Sequence, residues 1–552
     1  MKLTFYGSAK EVTGSNIILE AAGKKVMIDC GLFQGSSATK AKNFDGFKYD
    51  IQEIDYVLLT HSHIDHSGRI PLLYKKGYKG SVICTKATKD LCDIMLLDSA
   101  NIQESDTEYK NHKRQRAGLE LLEPLYTIDD ANNALRHFIA VQYHDLIKLD
   151  ENITVKFIDS GHMLGSSSII IFITENNKTS VVAFTSDLGK PNTPIINDPT
   201  VIKECDYLIM ESTYGNKRHT VKEHPEELMF EIIEDTILKG GTVIIPSFSV
   251  GRTQEMIYAF NKNIALKKKF SIFSKIPVYI DSPLSTSATE VFMKNTQYFD
   301  DEAKQYILKG DNPLDFPNLV FTKSVEESKI LNRDNSPKII ISSSGMCDAG
   351  RIRHHLKHNL YKEKTTVLFV GYQANGSLGR ILADGAKSVK ILGETIDVKA
   401  RIEMIDGFSG HADMDDLDTY LAQMEKKPEK VFLVHGEEDQ LYSFADRIKN
   451  KFDIDTVVPN NYSRYELQKG KKVYELAHDR VLTKNTYRKL TLLDLITDVK
   501  RQVKDVSELI AYDEINNLDE EQITTFIDLY SSMRKNIKNL VNEVEKKAKV
   551  GK

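Results

Sequence analysis

The hydrophobic pattern changes character along the 552 residues. From 1 to 211, short β-rich runs alternate with turns. The runs 26–28, 56–60 and 82–85 are of this kind, and 82–85 opens into a helical stretch over 86–104. Two further runs, 169–174 and 181–185, flank Glu175-Asn176-Asn177-Lys178, a composition that predicts a hairpin. Several runs stop at an Asp or a His followed by a loop, and strand ends of layered α/β proteins are where side chains converge on a site. From 212 to 394 the pattern differs. Apolar strands at 242–246, 277–281, 338–342 and 366–370 are separated by helical patterns such as 223–238 and 253–268. Apolar strands alternating with helices predict a parallel sheet covered on both faces. After 395 the first pattern returns and ends in the run 430–434 followed by His435. One α/β unit is therefore predicted to be inserted into another.

The tail, 469–552, carries two apolar stripes at helical spacing: Leu493, Ile496, Val499, Val503, Val506 and Ile510, then Ile523, Phe526, Tyr530, Met533, Ile537, Leu540 and Val544. Asp519, three residues before Gln522, fits a cap for the second helix. An intramolecular helical hairpin is the first expectation, and a homodimer-forming pair of helices the second.

Composition excludes some classes. Hydrophobic residues make up 41% and charged residues 28% of the chain, enough for packed cores and too apolar for a disordered protein. No run approaches the roughly 18 apolar residues of a membrane span. The opening Met1-Lys2-Leu3-Thr4 enters a strand pattern rather than a signal peptide, and five cysteines without a C-x-x-C pair read as reduced thiols. A cytoplasmic protein is expected. The formal charge of −5 is uneven: residues 212–394 hold 25 Lys and Arg against 21 Asp and Glu, residues 469–552 hold 17 against 14, and the remainder 32 against 44. The acidic remainder is also where His and Asp cluster, as a cation-binding lobe would show, but charge alone favours scatter over a solvated surface, so the motifs decide.

The densest chemistry is His61-Ser62-His63-Ile64-Asp65-His66, directly after the run 56–60. Four potential ligands within six residues, imidazole and carboxylate with no cysteine pair beside them, suit Zn²⁺. His162, Asp187, His411 and His435 recur in short loops, Asp187 and His162 each after a strand pattern. Together these residues offer enough ligands for two metals; singly, each of those four is an ordinary loop residue.

The order D…HxHxDH…H…D, an inserted α/β unit, then Phe408-Ser409-Gly410-His411-Ala412-Asp413 and Leu433-Val434-His435-Gly436-Glu437 resembles the metallo-β-lactamase superfamily, and within it the β-CASP nucleases. The resemblance implies an α/β chain: an αββα metallo-β-lactamase sandwich from 1–211 and 395–468, an inserted parallel β-CASP domain at 212–394, and a helical C-terminal extension at 469–552. It implies two Zn²⁺, one on His61, His63 and His162, the other on Asp65, His66 and His435, with Asp187 bridging. Asp29 would orient the histidine loop. Glu211, in Met210-Glu211-Ser212-Thr213-Tyr214-Gly215, is expected to pair with His411. Two zinc ions about 4 Å apart activate a hydroxide and clamp a phosphate, Asp65 aims it, and His411 protonates the leaving oxygen.

In the inserted unit, the turns around Ser247 and Arg252, around Ser344, and around Ser377 and Arg380 are either tight strand–helix connections or phosphate contacts. The family likeness favours RNA contacts, with Arg351, Arg353, His354 and His355 adding to the surface. The function implied is a zinc-dependent ribonuclease hydrolysing single-stranded RNA, with internal cutting, 5′-exonuclease action or both left open by the sequence. A DNA nuclease of the same branch remains the nearest alternative; its members typically carry valine where His435 stands. A non-catalytic RNA-binding subunit is a second alternative, and a thioester or lactam hydrolase a third.

Overall fold

The computed structural model describes residues 1–476 except 220–224, 266–270, 372, 374–375, 406–407 and 472. The helical readings of the tail lie outside the described residues.

Two sheets face each other. The first has eight strands in the order Tyr474–Leu476, Arg464–Glu466, Lys2–Phe5, Ile17–Ala21, Lys24–Ile28, Tyr56–Leu58, Val82–Thr85 and Phe138–Val141. The second has seven: Thr456–Val457, Lys430–Val434, Tyr207–Glu211, Lys178–Phe184, Ser167–Glu175, Ile153–Asp159 and Leu146–Lys148. Phe5, Leu19 and Ile28 of one interleave with Phe157, Ile171, Phe184 and Phe432 of the other in one core. Strand alternation then turns Met27, Val57 and Cys84 outward, onto Leu73, Cys92 and Leu96 of the covering helices. On the far side Leu208, Met210 and Leu433 meet Leu417, Leu421, Leu441 and Phe444. The layering is helix, sheet, sheet, helix. The expected hairpin is present: Asn176 and Asn177 take φ of 52° and 60° between antiparallel strands, a conformation asparagine tolerates.

The inserted sheet has the order Leu319–Phe321, Val278–Ile280, Lys338–Ser342, Thr242–Pro246, Thr366–Phe369, Arg401–Met404, and every recorded pairing within it is parallel. Ile245, Ile280 and Ile341 face one helical layer, and Ile244, Val367 and Phe369 face Leu356, Leu360 and Leu382 on the other. Two sequence readings shift. The sheet's last strand, Arg401–Met404, lies beyond 394, the expected end of the inserted unit. It is an edge strand with no buried residue, so no apolar run marks it. The helix read over 86–104 runs from Lys86 to Arg116, capped by Thr85, with no buried side chain after Ala100. Its second half carries no apolar stripe to read.

Candidate metal centre

Strand direction gathers the chemistry at one edge. Lys24–Ile28 and Tyr56–Leu58 run parallel, as do Lys178–Phe184, Tyr207–Glu211 and Lys430–Val434. Their carboxyl ends deliver Asp29, His61, Asp187, Glu211 and His435. Asp29, Ser186 and His435 hold φ of 58°, 56° and 52°. Left-handed backbone at three strand ends is strain of the kind that accompanies functional sites. Gly31 lets two of these segments touch: a Cβ there would stand 1.5 Å from the Asp65 carbonyl oxygen.

Leu59–His63 is a loop, and the helical turn Ile64–Ser67 behind it presents Asp65 and His66. His61 Nε2 and His162 Nε2 lie 3.1 and 3.2 Å from His63 Nδ1, and Asp187 Oδ2 is 3.6 and 3.7 Å from the same two Nε2 atoms. On the other side His66 Nε2 is 3.4 Å from His435 Nε2, Asp65 Oδ2 is 3.6 Å from His435 Nε2, and Asp187 Oδ1 is 3.4 Å from His66 Nε2. Asp187 thus reaches both sets.

Four of the five histidines have their other ring nitrogen held. His66 Nδ1 donates to Asp29 Oδ2 at 2.7 Å, and His162 Nδ1 to the Gly410 carbonyl at 3.3 Å. Nδ1 of His61 meets Thr60 and Ser186 hydroxyls at 3.1 and 3.3 Å, and Nδ1 of His435 meets Thr213 at 3.1 Å. Asp29 also accepts from the Thr60 backbone N–H at 2.9 Å and from its hydroxyl. The neighbours that orient ligating imidazoles are in place.

This donor set fits a cation. Nitrogens at about 2.1 Å around a tetrahedral ion stand about 3.4 Å apart, close to the spacings here. Asp187 Oδ1 is buried without a hydrogen-bond partner among the described residues. Burial pushes His61, His63 and His162 below the ordinary histidine range, which keeps them in the neutral, ligating form. For His66, burial opposes a charge but the Asp187 and Asp29 carboxylates outweigh it, raising the imidazole well above its usual value. Burial likewise opposes ionisation of Asp65, while its bond to His435 holds it down to about 2.

Beside the ligands, His411 Nδ1 lies 3.3 Å from Glu211 Oε2. Burial works against a charge on His411, yet the Glu211 carboxylate raises it to about 9. Glu211 Oε1 accepts from the Leu188 backbone N–H, and Gly189 bridges to His411, so the pair is tied to the Asp187 loop. His219, which nothing in the sequence singled out, braces this loop: its Nε2 donates to the His411 carbonyl at 2.8 Å and its backbone N–H to Asp413 at 3.0 Å. Thr60, Ser186 and Thr213 were also unread; their only signal was adjacency to the motifs.

The inserted-unit residues lie at the carboxyl ends of three adjacent strands, Lys338–Ser342, Thr242–Pro246 and Thr366–Phe369. Ser247 is buried and accepts from Thr253; Ser377 caps the helix Leu378–Ala383; Ser344 bonds to both backbone groups of Ala349. Arg252 pairs with Glu255 and stacks 5.6 Å from the Phe408 ring, next to the His411 loop. Arg380 pairs with Asp384 at 2.9 Å. Arg351 and His355 are bound to Asp281 at 2.6 and 2.5 Å.

A metallo-beta-lactamase superfamily domain matches residues 18–188, a Beta-Casp domain 253–382, and a Zn-dependent metallo-hydrolase RNA specificity domain 395–459. The chain is 34% identical over 445 residues to Ribonuclease TTHA0252 of Thermus thermophilus, covering 81% of this chain and 95% of that protein. The chain belongs to the β-CASP branch of the metallo-β-lactamase superfamily. It is a metal-dependent hydrolase. Transcription termination factor FttA of Methanocaldococcus jannaschii is 32% identical over 474 residues, covering 84% of this chain and 71% of that factor; its Thermococcus kodakarensis counterpart is 30% identical over 486 residues, covering 85% and 72%.

Proposed function

We propose that this β-CASP protein is a zinc-dependent ribonuclease that hydrolyses phosphodiester bonds of single-stranded RNA. The observation that carries the reading is Asp187 standing between two imidazole sets with the Glu211–His411 pair beside it. His61, His63 and His162 would hold one zinc and Asp65, His66 and His435 the other. Zinc, when bound, supplies Lewis acidity toward water and phosphate. Asp65, ionised at neutral pH, accepts a hydrogen bond from the attacking water and aims it. His411 keeps Nδ1 on Glu211 and delivers a proton from Nε2 to the leaving oxygen. Arg252, Arg380 and the serine turns at 247, 344 and 377 would line the RNA path. The RNA specificity domain matched over 395–459 spans His411 and His435 and favours RNA over DNA. The near-complete coverage of a protein named ribonuclease favours an active nuclease over a silent binding subunit.

The test is incubation of the purified protein with RNA and matched DNA, each labelled at either end, with and without chelator. Cleavage of RNA alone, abolished by chelator and restored by zinc, supports the proposal. Equal cutting of DNA, or no cutting with zinc fully loaded, contradicts it.

A further inference from the structure

Several buried charges among the described residues are paired with an opposite charge. Asp281 binds Arg351 at 2.6 Å and His355 at 2.5 Å, fully buried Lys338 rests on Asp334 at 2.9 Å, and Asp206 takes Lys469 at 2.9 Å. Arg69 is not so paired. It is 4% exposed, and among the described residues its guanidinium meets no carboxylate and donates to no acceptor. Nε is wholly buried and has no hydrogen-bond partner among the described residues. What surrounds the cation is aromatic, with Phe47 at 4.4 Å and Phe33 at 5.5 Å. Ring faces attract a guanidinium but satisfy none of its five N–H groups. Burying most of an arginine with neither counter-charge nor acceptor among the described residues is costly, and a small anion reaching its terminal nitrogens would offset that cost.

The pocket beside Arg69 has room for such an anion's oxygens. Arg69 lines a pocket of 20 Å³, room for one or two oxygen-sized groups. Asn16 and Tyr49 also line it, and Asn16 Oδ1 and Tyr49 Oη are buried there without a well-aligned hydrogen bond among the described residues, the Tyr49 hydroxyl lying close to Asn16 and Cys30. Lys42, Asp45 and Lys48 line the same pocket, two cations against one carboxylate, with Lys48 and Asp45 exposed. Lys42 is engaged by Glu11 at 2.8 Å. The pocket therefore offers a guanidinium fork, a phenol donor and one amide acceptor. That combination suits an oxyanion carrying a proton better than chloride, which has none to give to Asn16 Oδ1.

We propose that the Arg69 pocket binds a phosphate group, with part of its oxygens seated on the guanidinium and Tyr49 and the rest held at the mouth by Lys48. The same chemistry is offered by inorganic phosphate and by the terminal phosphate of a mononucleotide. This site is distinct from the histidine centre and does not depend on the reaction proposed there. It does touch the frame of that centre, since Arg69 N–H donates to the Cys30 carbonyl and Asn16 Nδ2 to the Asp29 carbonyl.

The experiment is thermal unfolding of the zinc-loaded full chain at constant ionic strength, titrated with inorganic phosphate, adenosine 5′-monophosphate or adenosine. Wild type, Lys48→Ala, Arg69→Met and His411→Ala are compared. Inorganic phosphate is expected to raise the midpoint saturably, by about 2–4 °C. Lys48→Ala should need several-fold more phosphate, Arg69→Met should lose the response, and His411→Ala should keep it. An equal rise with the mononucleotide and none with adenosine identifies a nucleotide end as a further source; a rise with phosphate alone identifies the free anion. No rise, or one that persists unchanged in Lys48→Ala and Arg69→Met, overturns the proposal. If Arg69→Met fails to fold, Lys48→Ala and a crystal soaked in phosphate decide. A tetrahedral anion on the guanidinium supports the site, and ordered water alone refutes it.

Discussion

The histidine centre and the turns of the inserted unit occupy the same kind of place, the carboxyl ends of parallel strands, yet they are built in opposite ways. At the centre, imidazole nitrogens and carboxylate oxygens point at one another, and their outer atoms are held by Asp29, Thr60, Thr213 and Gly410. In the inserted unit the polar groups turn on themselves: Arg252 to Glu255, Arg380 to Asp384, Ser377 to its own helix. The first region is a set of donors arranged to hold a cation. The second is nearly self-satisfied, and what it can still offer RNA is backbone N–H and a shared charge. Side-chain substitution should therefore be severe in one region and graded in the other.

The largest effect is expected from Asp187→Ala, which removes the one carboxylate shared by both ligand sets. RNA cleavage should disappear together with bound zinc; retention of both zinc and activity would break the contrast at its root. His411→Ala comes next, slowing cleavage by about 10²–10⁴-fold with zinc content unchanged. A loss of zinc in step with activity would make His411 a ligand instead. Because Glu211 raises His411 to about 9, the imidazolium persists through neutrality and is lost as pH rises. Bound cations draw that value down, so the alkaline limb of cleavage should fall at or below about 9 and move to lower pH in Glu211→Gln. An unmoved limb would mean that another group supplies the proton.

Asp29→Asn leaves every ligand in place and loosens only the orientation of His66, so zinc affinity should fall by about 10–100-fold. Competition with a chromogenic chelator measures it, and unchanged affinity would show that the loop needs no such brace. The smallest effects belong to the inserted unit. Arg252→Ala and Arg380→Ala should each lower the salt slope of RNA binding by about one phosphate contact or less, uniformly across sequences. Arg252, the more enclosed of the two and stacked on Phe408, should show the larger change. Unchanged slopes in both would make these arginines closures of strand–helix turns.

Legibility followed the same divide. Coordination restricts residue type and spacing, so His61, His63, Asp65 and His66 stood out in six residues, and the structure brings them together with His162, Asp187 and His435. Apolar strands announced the inserted sheet because both faces are covered. Its last strand, Arg401–Met404, was missed because an edge strand with exposed charges has no apolar run. The helix Lys86–Arg116 was read short because burial stops at Ala100. The pairing of Arg252 with Glu255 and of Arg380 with Asp384 was visible as spacings of three and four and went unused. Arg69 could not be read at all: one arginine in a turn carries no sign that its guanidinium bonds to no acceptor among the described residues.

On the proposed reading, the side chains gathered on Asp187 form one centre for two zinc ions. Metal analysis of chain purified without chelator and then saturated with zinc tests it directly. About two zinc equivalents per chain are predicted, both lost in Asp187→Ala. Saturation at one equivalent in the wild-type chain would contradict the account.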